Sequence, residues 1–428
     1  MEIKMSKYPS YKDAGVEWLG KIPEHWDVLP GLSFIFENKE RNKGMIRNKI
    51  LSLSYGNIRV KGEDELTGLV PESFETYQFV NKGDLIFRPT DLQNDTVSLR
   101  SSISEYDGII TNAYLNLRFK SKAHSKFFHY FFRAIDNNKV IYGLGSGLRQ
   151  NISYLDFRRF QFPFPPLPEQ TAIAHYLDEK TALIDKAIDI KQKQIALLKE
   201  RRQVIIQHAV TRGLDPNVKL KDSGVEWIGE IPEEWEVKRN SLLFLEKKLA
   251  GNESLPILSV SIHTAVSNEQ LSDEENIRGQ VRIEDKASYK MVKPGYIVYN
   301  MMRAWQGGIG CVEINGMVSP AYVVAEPNSS LNSKYFEFQY RTVIFIQQMD
   351  QNSRGITDFR KRLYWNEFKQ LLTLVPPVNV QSEIVDFINS TTYKIATAIS
   401  LKEKEIDKLK EYKATLINSA VTGKIKVT

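Results

Sequence analysis

The sequence predicts an α+β protein with two pseudo-repeated mixed α/β modules, separated by two long helices that pack as an antiparallel coiled coil. Two observations carry this prediction. The chain of 428 residues repeats itself once, and each copy is a mixed globular part followed by a long segment with heptad-like apolar spacing. Because 42% of the residues are hydrophobic, each copy has enough apolar side chains for a core of its own.

The composition is that of an ordinary globular protein with nearly balanced charge. There are 58 Lys and Arg against 52 Asp and Glu, a net charge of +6, which permits a nucleic-acid partner without indicating one. The single cysteine, Cys311, cannot form an intramolecular disulfide or a multi-cysteine zinc site, as is typical of a reducing compartment. The first residues lack a signal-peptide core, and no stretch approaches the ~18 apolar residues of a membrane span. We therefore expect a cytoplasmic protein with no membrane partner.

The repeat is marked at both borders of each copy. Residues 12–28 return 209 positions later as residues 221–237, with 12 of 17 positions identical, and a Pro-Pro pair at 165–166 returns at 376–377. The interiors of the modules diverge, which is expected if the copies have only drifted; the alternative is that they bind different ligands. The borders predict a first module over residues 1–165, a first helical spacer over 166–212, a second module over 213–375 and a second spacer over 376–428.

Each module contains signals for short strands and for a helix. Strand-forming residues follow turn signals at 85–87 and at 296–299. Residues 127–135 and 335–348 have the composition and spacing of helices. Each module is therefore expected to mix α and β structure.

The segment after each Pro-Pro pair has apolar residues at alternating steps of three and four. The pattern holds if Lys191 and Arg202 in the first spacer, and Lys402 and Lys413 in the second, are counted as polar members of the same seam. We predict two helices of about 33 residues each that pack antiparallel, with the modules at opposite ends of a rod. The alternative is that each helix packs on its own module only. The apolar seam residues are Ile184, Ile188, Ile195, Leu198, Ile205, Ile395, Ile399, Ile406, Leu409 and Leu416.

The motifs of an enzyme are missing from the sequence. There is no Gly-x-x-x-x-Gly-Lys-Ser/Thr phosphate loop and no Asn/Asp-Pro-Pro-aromatic tetrapeptide of the kind that amino-methyltransferases use to hold a flipped base. His124 and His129 are five residues apart, which does not place them on one face of a helix as metal ligands. We therefore predict no catalytic residue, no metal ligand and no cofactor in this chain, which disfavours a stand-alone nuclease or methyltransferase.

Polar, basic and glycine-containing loops at equivalent places in the two copies are the candidate binding site. Arg, Gln and Asn have the bidentate geometry that fits guanine and adenine edges, and glycine lets a backbone approach a phosphate. A solvated loop remains the alternative for any single one of these residues. The candidate DNA-binding residues are Arg88, Thr90, Asp91, Gln93, Asn94, Arg149, Gln150 and Asn151 in the first copy, and Arg303, Trp305, Gln306, Arg354, Arg360, Lys361 and Arg362 in the second.

With these residues in view, the chain resembles a specificity subunit of a type I restriction-modification system over essentially its full length. The resemblance rests on the repeated Gly-Val-Glu-Trp-x-Gly-x-Ile-Pro-Glu-x-Trp motif at 15–26 and 224–235, and on Phe-Pro-Pro-Leu-Pro-Glu-Gln at 164–170. Leu-Lys-Glu and Ala-Val-Thr stretches close both helical spacers. One departure is the start of the second spacer, where residues 375–381 lack the Leu-Pro-Glu of the first.

The resemblance implies two target recognition domains that each read one half of a bipartite, asymmetric site in double-stranded DNA. It also implies that the helical pair sets the spacing and docks two methyltransferase (M) subunits, with motor-nuclease (R) subunits joining them. S-adenosylmethionine, ATP and Mg would then belong to those partners, and the chain itself would be non-catalytic. The competing interpretation is a two-module coiled-coil scaffold for proteins that does not bind DNA.

Overall fold

The computed structural model describes residues 6–65, 73–90, 92, 99–144, 151–252, 254–268, 288–328, 330–355 and 361–427. The chain divides into two compact units. Unit 1 consists of residues 1–191 and 403–428, and unit 2 of residues 192–402. Each unit combines antiparallel sheets with helices, and the chain has two long helices, so the predicted α+β class is confirmed.

Unit 1 is built on a four-stranded antiparallel sheet with the strand order β4-β11-β8-β9, flanked by two-stranded ribbons. Its core is rich in phenylalanine, and Phe127, Phe128, Phe131 and Phe132 of helix α1 are all fully buried against it. The short elements of this unit are β1 (Tyr11–Asp13), β2 (Lys21–Pro23), β3 (Asp27–Pro30), β4 (Ile35–Glu37), β5 (Leu51–Ser54), β6 (Asn57–Val60), β7 (Gln78–Val80), β8 (Leu85–Phe87), β9 (Ser101–Ile103), β10 (Gly108–Ile110), β11 (Leu115–Phe119), α1 (Ser125–Asn137), α2 (Tyr154–Arg159) and β12 (Gln161–Phe164).

Unit 2 repeats this design. Its four-stranded sheet has the order β16-β23-β20-β21, which is the order of the unit 1 sheet with equivalent strands. The repeat in the sequence therefore extends to the topology. The short elements of unit 2 are β13 (Leu220–Asp222), β14 (Glu230–Pro232), β15 (Glu236–Arg239), β16 (Phe244–Lys247), β17 (Ser259–Ser261), β18 (Ala265–Ser267), β19 (Lys290–Val292), β20 (Ile297–Asn300), β21 (Ile309–Cys311), β22 (Gly316–Val318), β23 (Tyr322–Pro327), α4 (Ser333–Tyr340), α5 (Val343–Gln351), α6 (Trp365–Phe368) and β24 (Leu372–Val375).

The two predicted strands are confirmed, one at β8 and one at β20, which begins one residue later than expected. The helix predicted over 127–135 is confirmed as part of α1. The single helix predicted over 335–348 is wrong, because the chain leaves helical geometry at Thr342 (φ −80°, ψ 155°) and continues as α5. The Thr342 hydroxyl donates to the carbonyl of Gln339 at 2.7 Å, which stabilises the end of α4.

The long helices α3 (Leu167–Arg212) and α7 (Val378–Val421) have 46 and 44 residues, so the predicted length of about 33 residues is wrong. Their first turns pack on the unit that precedes them. Ile173 and Leu177 of α3 are buried in the core of unit 1, and Ile384 and Ile388 of α7 in the core of unit 2. Ile173 and Ile384 lie off the seam spacing, and the seam positions before Ile184 and Ile395 are the polar Thr181 and Thr392, so the apolar seam alone underestimates the helices.

Within each unit, a segment of α3 and a segment of α7 run antiparallel. In unit 1, Lys413 Nζ donates to both carboxylate oxygens of Asp185 at 2.7 Å, and Lys191 Nζ to Glu405 Oε2 at 2.5 Å. In unit 2, Lys402 Nζ donates to Gln194 Oε1 at 2.7 Å. Three of the four polar seam positions thus reach across to the facing helix. The apolar seam residues are all buried or half-buried.

The C-terminal end of each long helix packs in the core of the unit that contains the start of the other long helix. Ala420 and Val421 at the end of α7 are buried in the core of unit 1, and Ala209 and Val210 at the end of α3 in that of unit 2. Each unit thus contains the beginning of one long helix and the end of the other. No helix in the described ranges is long and apolar enough to cross a membrane.

Candidate nucleic-acid interface

In unit 1, the residues that follow β8 lie beside the residues that precede α2. The backbone N–H of Ile152 donates to the carbonyl of Pro89 at 3.0 Å, which joins the two segments. Arg88 and Thr90 on one segment are half-buried, and Asn151 on the other is exposed. The structure therefore brings together residues of both loops that the sequence singled out in this copy. The predicted residues Asp91, Gln93, Asn94, Arg149 and Gln150 lie outside the described residues.

Unit 2 joins its two candidate loops in the same way. Here the backbone N–H of Leu363 donates to the carbonyl of Met301 at 2.9 Å. Arg354 and Arg362 pair through two backbone hydrogen bonds of 2.8 and 2.9 Å, so they form the base of one loop. Arg360 lies outside the described residues. The equivalent hydrogen bonds at Ile152 and Leu363 show that both units hold two loops side by side at the end of a sheet strand.

The first loop of unit 2 is a short helical turn after β20. Its exposed Arg303 donates from Nη1 to Gln306 Oε1 at 2.8 Å. The half-buried Trp305 donates its indole N–H to the carbonyl of Met302 at 3.0 Å. This bond fixes the plane of the indole, while Arg303 keeps further N–H donors for an anion or a base edge.

The second loop of unit 2 places its cations near acidic groups. Lys361 Nζ lies 5.4 Å from the ring centroid of Trp305 and 2.7 Å from Asp350 Oδ1. Arg354 forms an ion pair with Glu367. Arg362 is exposed. Arg303 and Arg362 are therefore the candidates that are best placed for solvent-facing contacts with phosphates.

A tyrosine that sequence reasoning missed lies beside Arg88. Ser54 of β5 pairs with Asn57 of β6, so that Tyr55 and Gly56 form a two-residue turn with φ +48° and +73°. Turns of this kind favour Asn-Gly, and a bulky residue at positive φ is unusual. Tyr55 is nevertheless 85% exposed, and with Arg88 it lines a cavity of about 220 Å³. The sequence signal that could have predicted this turn is Ser-Tyr-Gly at 54–56, directly after a strand-like run.

The equivalent hairpin of unit 2 is one residue longer in its loop. Ser261 of β17 pairs with Ala265 of β18, and Ile262, His263 and Thr264 between them are all exposed. The hairpin loops thus form a third exposed segment in each unit, and their residues differ between the copies. In the part of the chain that the structure describes, no group of three or more His, Cys, Asp or Glu side chains could hold a metal ion.

The sequence and the fold are similar to those of one group of proteins. Residues 35–200 match the family model described as type I restriction modification DNA specificity domain. Over 435 residues the chain is 22% identical to a Methanocaldococcus jannaschii protein named as the specificity subunit of type I restriction enzyme MjaX, and the alignment covers 96% of each. Over 81 residues it is 36% identical to the MjaVIII specificity subunit of that organism, covering 19% of this chain and 17% of that one.

Two solved structures have a similar fold. One is a chain from a study of complex assembly and conformational transition of the type I R-M system, with a TM-score of 0.65, 13% identity and coverage of 94% of this chain and 98% of that one. The other is the HsdS subunit from Thermoanaerobacter tengcongensis, with a TM-score of 0.56, 12% identity and coverage of 96% and 100%. At these identities the likeness describes the fold.

Proposed function

Because the chain belongs to the family of type I restriction-modification specificity subunits, we propose that each of its two units reads one half of a bipartite, asymmetric site in double-stranded DNA. The chain is the non-catalytic subunit of such a system, and its role is recognition of a DNA sequence. We assign the two target recognition domains to residues 1–165 and 213–375, and the helical spacers to 166–212 and 376–428.

The observation that carries this proposal is that the two units share a backbone arrangement, called the frame below, but carry different side chains on it. The Ile152 to Pro89 and Leu363 to Met301 hydrogen bonds are equivalent, yet the loops that they join differ almost completely in sequence. Two identical binding surfaces would recognise a symmetric site, whereas one frame with two sets of side chains suits two different half-sites. The loop residues predicted from the sequence, those outside the described ranges included, remain the candidates for base and phosphate contacts.

The helical pair supports docking of the methyltransferase subunits. On α3, Leu183, Ile190, Leu197 and Val204 follow each other at intervals of seven residues and are 61%, 46%, 62% and 62% exposed. A row of exposed apolar residues at this spacing suits a partner helix. We infer that two M subunits dock on the helical spacers and that R subunits join the complex through them. S-adenosylmethionine, ATP and Mg are then bound by these partners.

The salt dependence of binding separates DNA recognition from the protein-scaffold alternative. We expect the chain, assembled with its M subunits, to lose affinity for its target DNA steeply with rising salt, because phosphate contacts release counterions. Arg303→Ala and Arg362→Ala should each reduce the slope of log affinity against log salt by about 1. Lys293→Ala is the matched control, because Lys293 is exposed in the turn at the opposite end of β20.

No measurable affinity for DNA, or a DNA affinity that does not change with salt and is the same for all three variants, would favour the scaffold. In that case the units bind proteins, and the loops at the ends of β8 and β20 are ordinary solvated loops.

A further inference from the structure

Arg341, the residue that follows α4, binds five backbone carbonyls. Its Nη1 donates to the carbonyls of Ser261, Gly307 and Ile309 at 3.2, 2.9 and 3.2 Å. Its Nη2 donates to the carbonyls of Ile262 and His263 at 2.8 and 3.2 Å. These acceptors are all main-chain atoms, so the contacts do not depend on which side chains the loops carry.

Four of the five carbonyls belong to two exposed loop segments of unit 2, and the fifth, that of Ile309, begins β21. Ser261, Ile262 and His263 form the end of β17 and the start of the exposed hairpin loop. Gly307 directly ends the helical turn that carries Arg303, Trp305 and Gln306. One guanidinium therefore fixes the hairpin loop and the strand-end loop relative to each other.

In unit 1, two arginines bind the two corresponding segments separately. Arg133, on α1 and 208 residues before Arg341, donates from Nη2 to the carbonyl of Gly56 in the hairpin turn at 2.8 Å. Arg100, which is fully buried, donates from Nη1 to the carbonyls of Thr90 and Arg88 at 2.6 and 3.4 Å. One arginine holds the hairpin turn and the other the strand-end loop. In both units, the backbone of the candidate interface is therefore bound from inside by guanidinium groups.

A guanidinium suits this role better than an ammonium. It is planar and presents five N–H donors in a fixed arrangement, whereas a lysine has three donors on a flexible stem. Burial lowers the pKa of Arg133 and of Arg341, but an arginine remains charged at physiological pH. With the carbonyls held inward, the side chains of the same loop residues are set in position toward solvent. Recognition of a base by bidentate hydrogen bonds needs this precision.

We propose that Arg341 in unit 2, and Arg133 together with Arg100 in unit 1, are positioning residues that set half-site specificity without contacting DNA. The proposal rests on the proposed function of the units as readers of two half-sites. It assigns to each unit an internal group whose loss relaxes the reading of one half-site and leaves the other intact.

The test uses the full chain assembled with its M subunits, and measures methylation of DNA that carries the target or a single base change in either half. We expect Arg341→Met to reduce discrimination about tenfold in the half-site read by unit 2 and not in the other half. Arg341→Lys should give a smaller loss, because it keeps the charge and some of the donors. Arg133→Met should relax the other half-site. The salt slope of DNA affinity should stay that of the natural chain, since no phosphate contact is lost.

Arg239→Met is the matched control, because Arg239 is an exposed arginine of unit 2 whose hydrogen bond is to the Gln370 side chain. If Arg341→Met does not fold, as judged by thermal unfolding, Arg341→Lys carries the test. Lower unfolding temperature with unchanged discrimination in both halves would overturn the proposal and leave Arg341 a purely structural residue. If Arg341→Met lowered the affinity for all DNA sequences equally and reduced the salt slope, the proposal would also be overturned, because Arg341 would then contact phosphate. If the natural chain itself does not discriminate in either half, the proposed function fails and the inference with it.

Discussion

Tyr55 combines an unfavourable backbone conformation with a side chain that is 85% exposed. A bulky residue at positive φ costs free energy, and such costs are often found where a side chain serves binding. The next residue, Gly56, is also required for steric reasons, because a Cβ at this position would lie 2.6 Å from the Cβ of Leu99. The turn is thus held against its neighbour while the tyrosine points away from the core.

We predict that Tyr55→Asn has opposite effects on stability and on binding. Asparagine tolerates positive φ, so the free energy of unfolding should rise by about 0.5–1 kcal/mol. The affinity for target DNA should fall about tenfold, because exposed aromatic anchors contribute strongly to interfaces. Urea unfolding and DNA titration at fixed salt measure the two effects. Tyr55→Phe keeps the ring and serves as the control. A rise in stability with unchanged DNA affinity would show that Tyr55 does not contact DNA.

The sequence predicts the role of some candidate residues and not of others. The sequence indicates Arg88 and Arg303, because Arg88 directly follows one strand-like run, Arg303 lies shortly after the other, and both runs begin after a turn signal. It does not indicate Arg341, whose acceptors Ser261 and His263 lie about 80 residues earlier in the chain. The role of such a residue follows from tertiary contacts, and its residue type alone is equally typical of a solvated helix end.

The long helices bury one row of apolar residues and expose another. Leu416 of α7 is 1% exposed in the core of unit 1, where Ile184 of α3 is also buried. Leu197 of α3 is 62% exposed, and it belongs to the row proposed to dock an M subunit. The same residue type thus serves internal packing at one position and a partner surface at another.

This contrast gives a matched pair of substitutions. Leu416→Ala should lower the free energy of unfolding by about 2–5 kcal/mol, because it leaves a cavity in a packed core. Leu197→Ala should change it by less than about 0.5 kcal/mol, but should weaken association with the M subunit. Denaturant unfolding and sedimentation of the mixed subunits measure the two effects. If Leu197→Ala leaves association unchanged, the row on α3 is not the docking surface.

At the level of secondary-structure elements, the spacing of apolar residues and the turn signals predict features that depend on neighbouring residues in the sequence. The strands at 85–87 and 297–300 follow glycine-containing turns and were found within one residue. The interruption at Thr342 was not predicted, because apolar residues continue with helical spacing on both sides of it. The long helices were underestimated because Ile173 and Ile384 pack into module cores and do not continue the seam pattern.

The whole molecule is a duplication in which the frame is kept and the exposed loops are changed. The strand orders β4-β11-β8-β9 and β16-β23-β20-β21 are equivalent, and the repeat of residues 12–28 at 221–237 predicted this equivalence. The bases that each unit reads do not follow from the frame, because they depend on the positions of individual side chains on loops of different sequence.

The most direct test of the central claim is methylation-sensitive sequencing of cells that carry either the natural chain or a chain in which residues 225–375 are replaced by the corresponding module of another family member. We predict adenine methylation at one two-part motif with the natural chain, and a motif changed in one part only after the exchange. The deleted strain is the control and should lack the motif. A methylome that does not depend on the chain, or an exchange that changes both parts of the motif, would contradict the account.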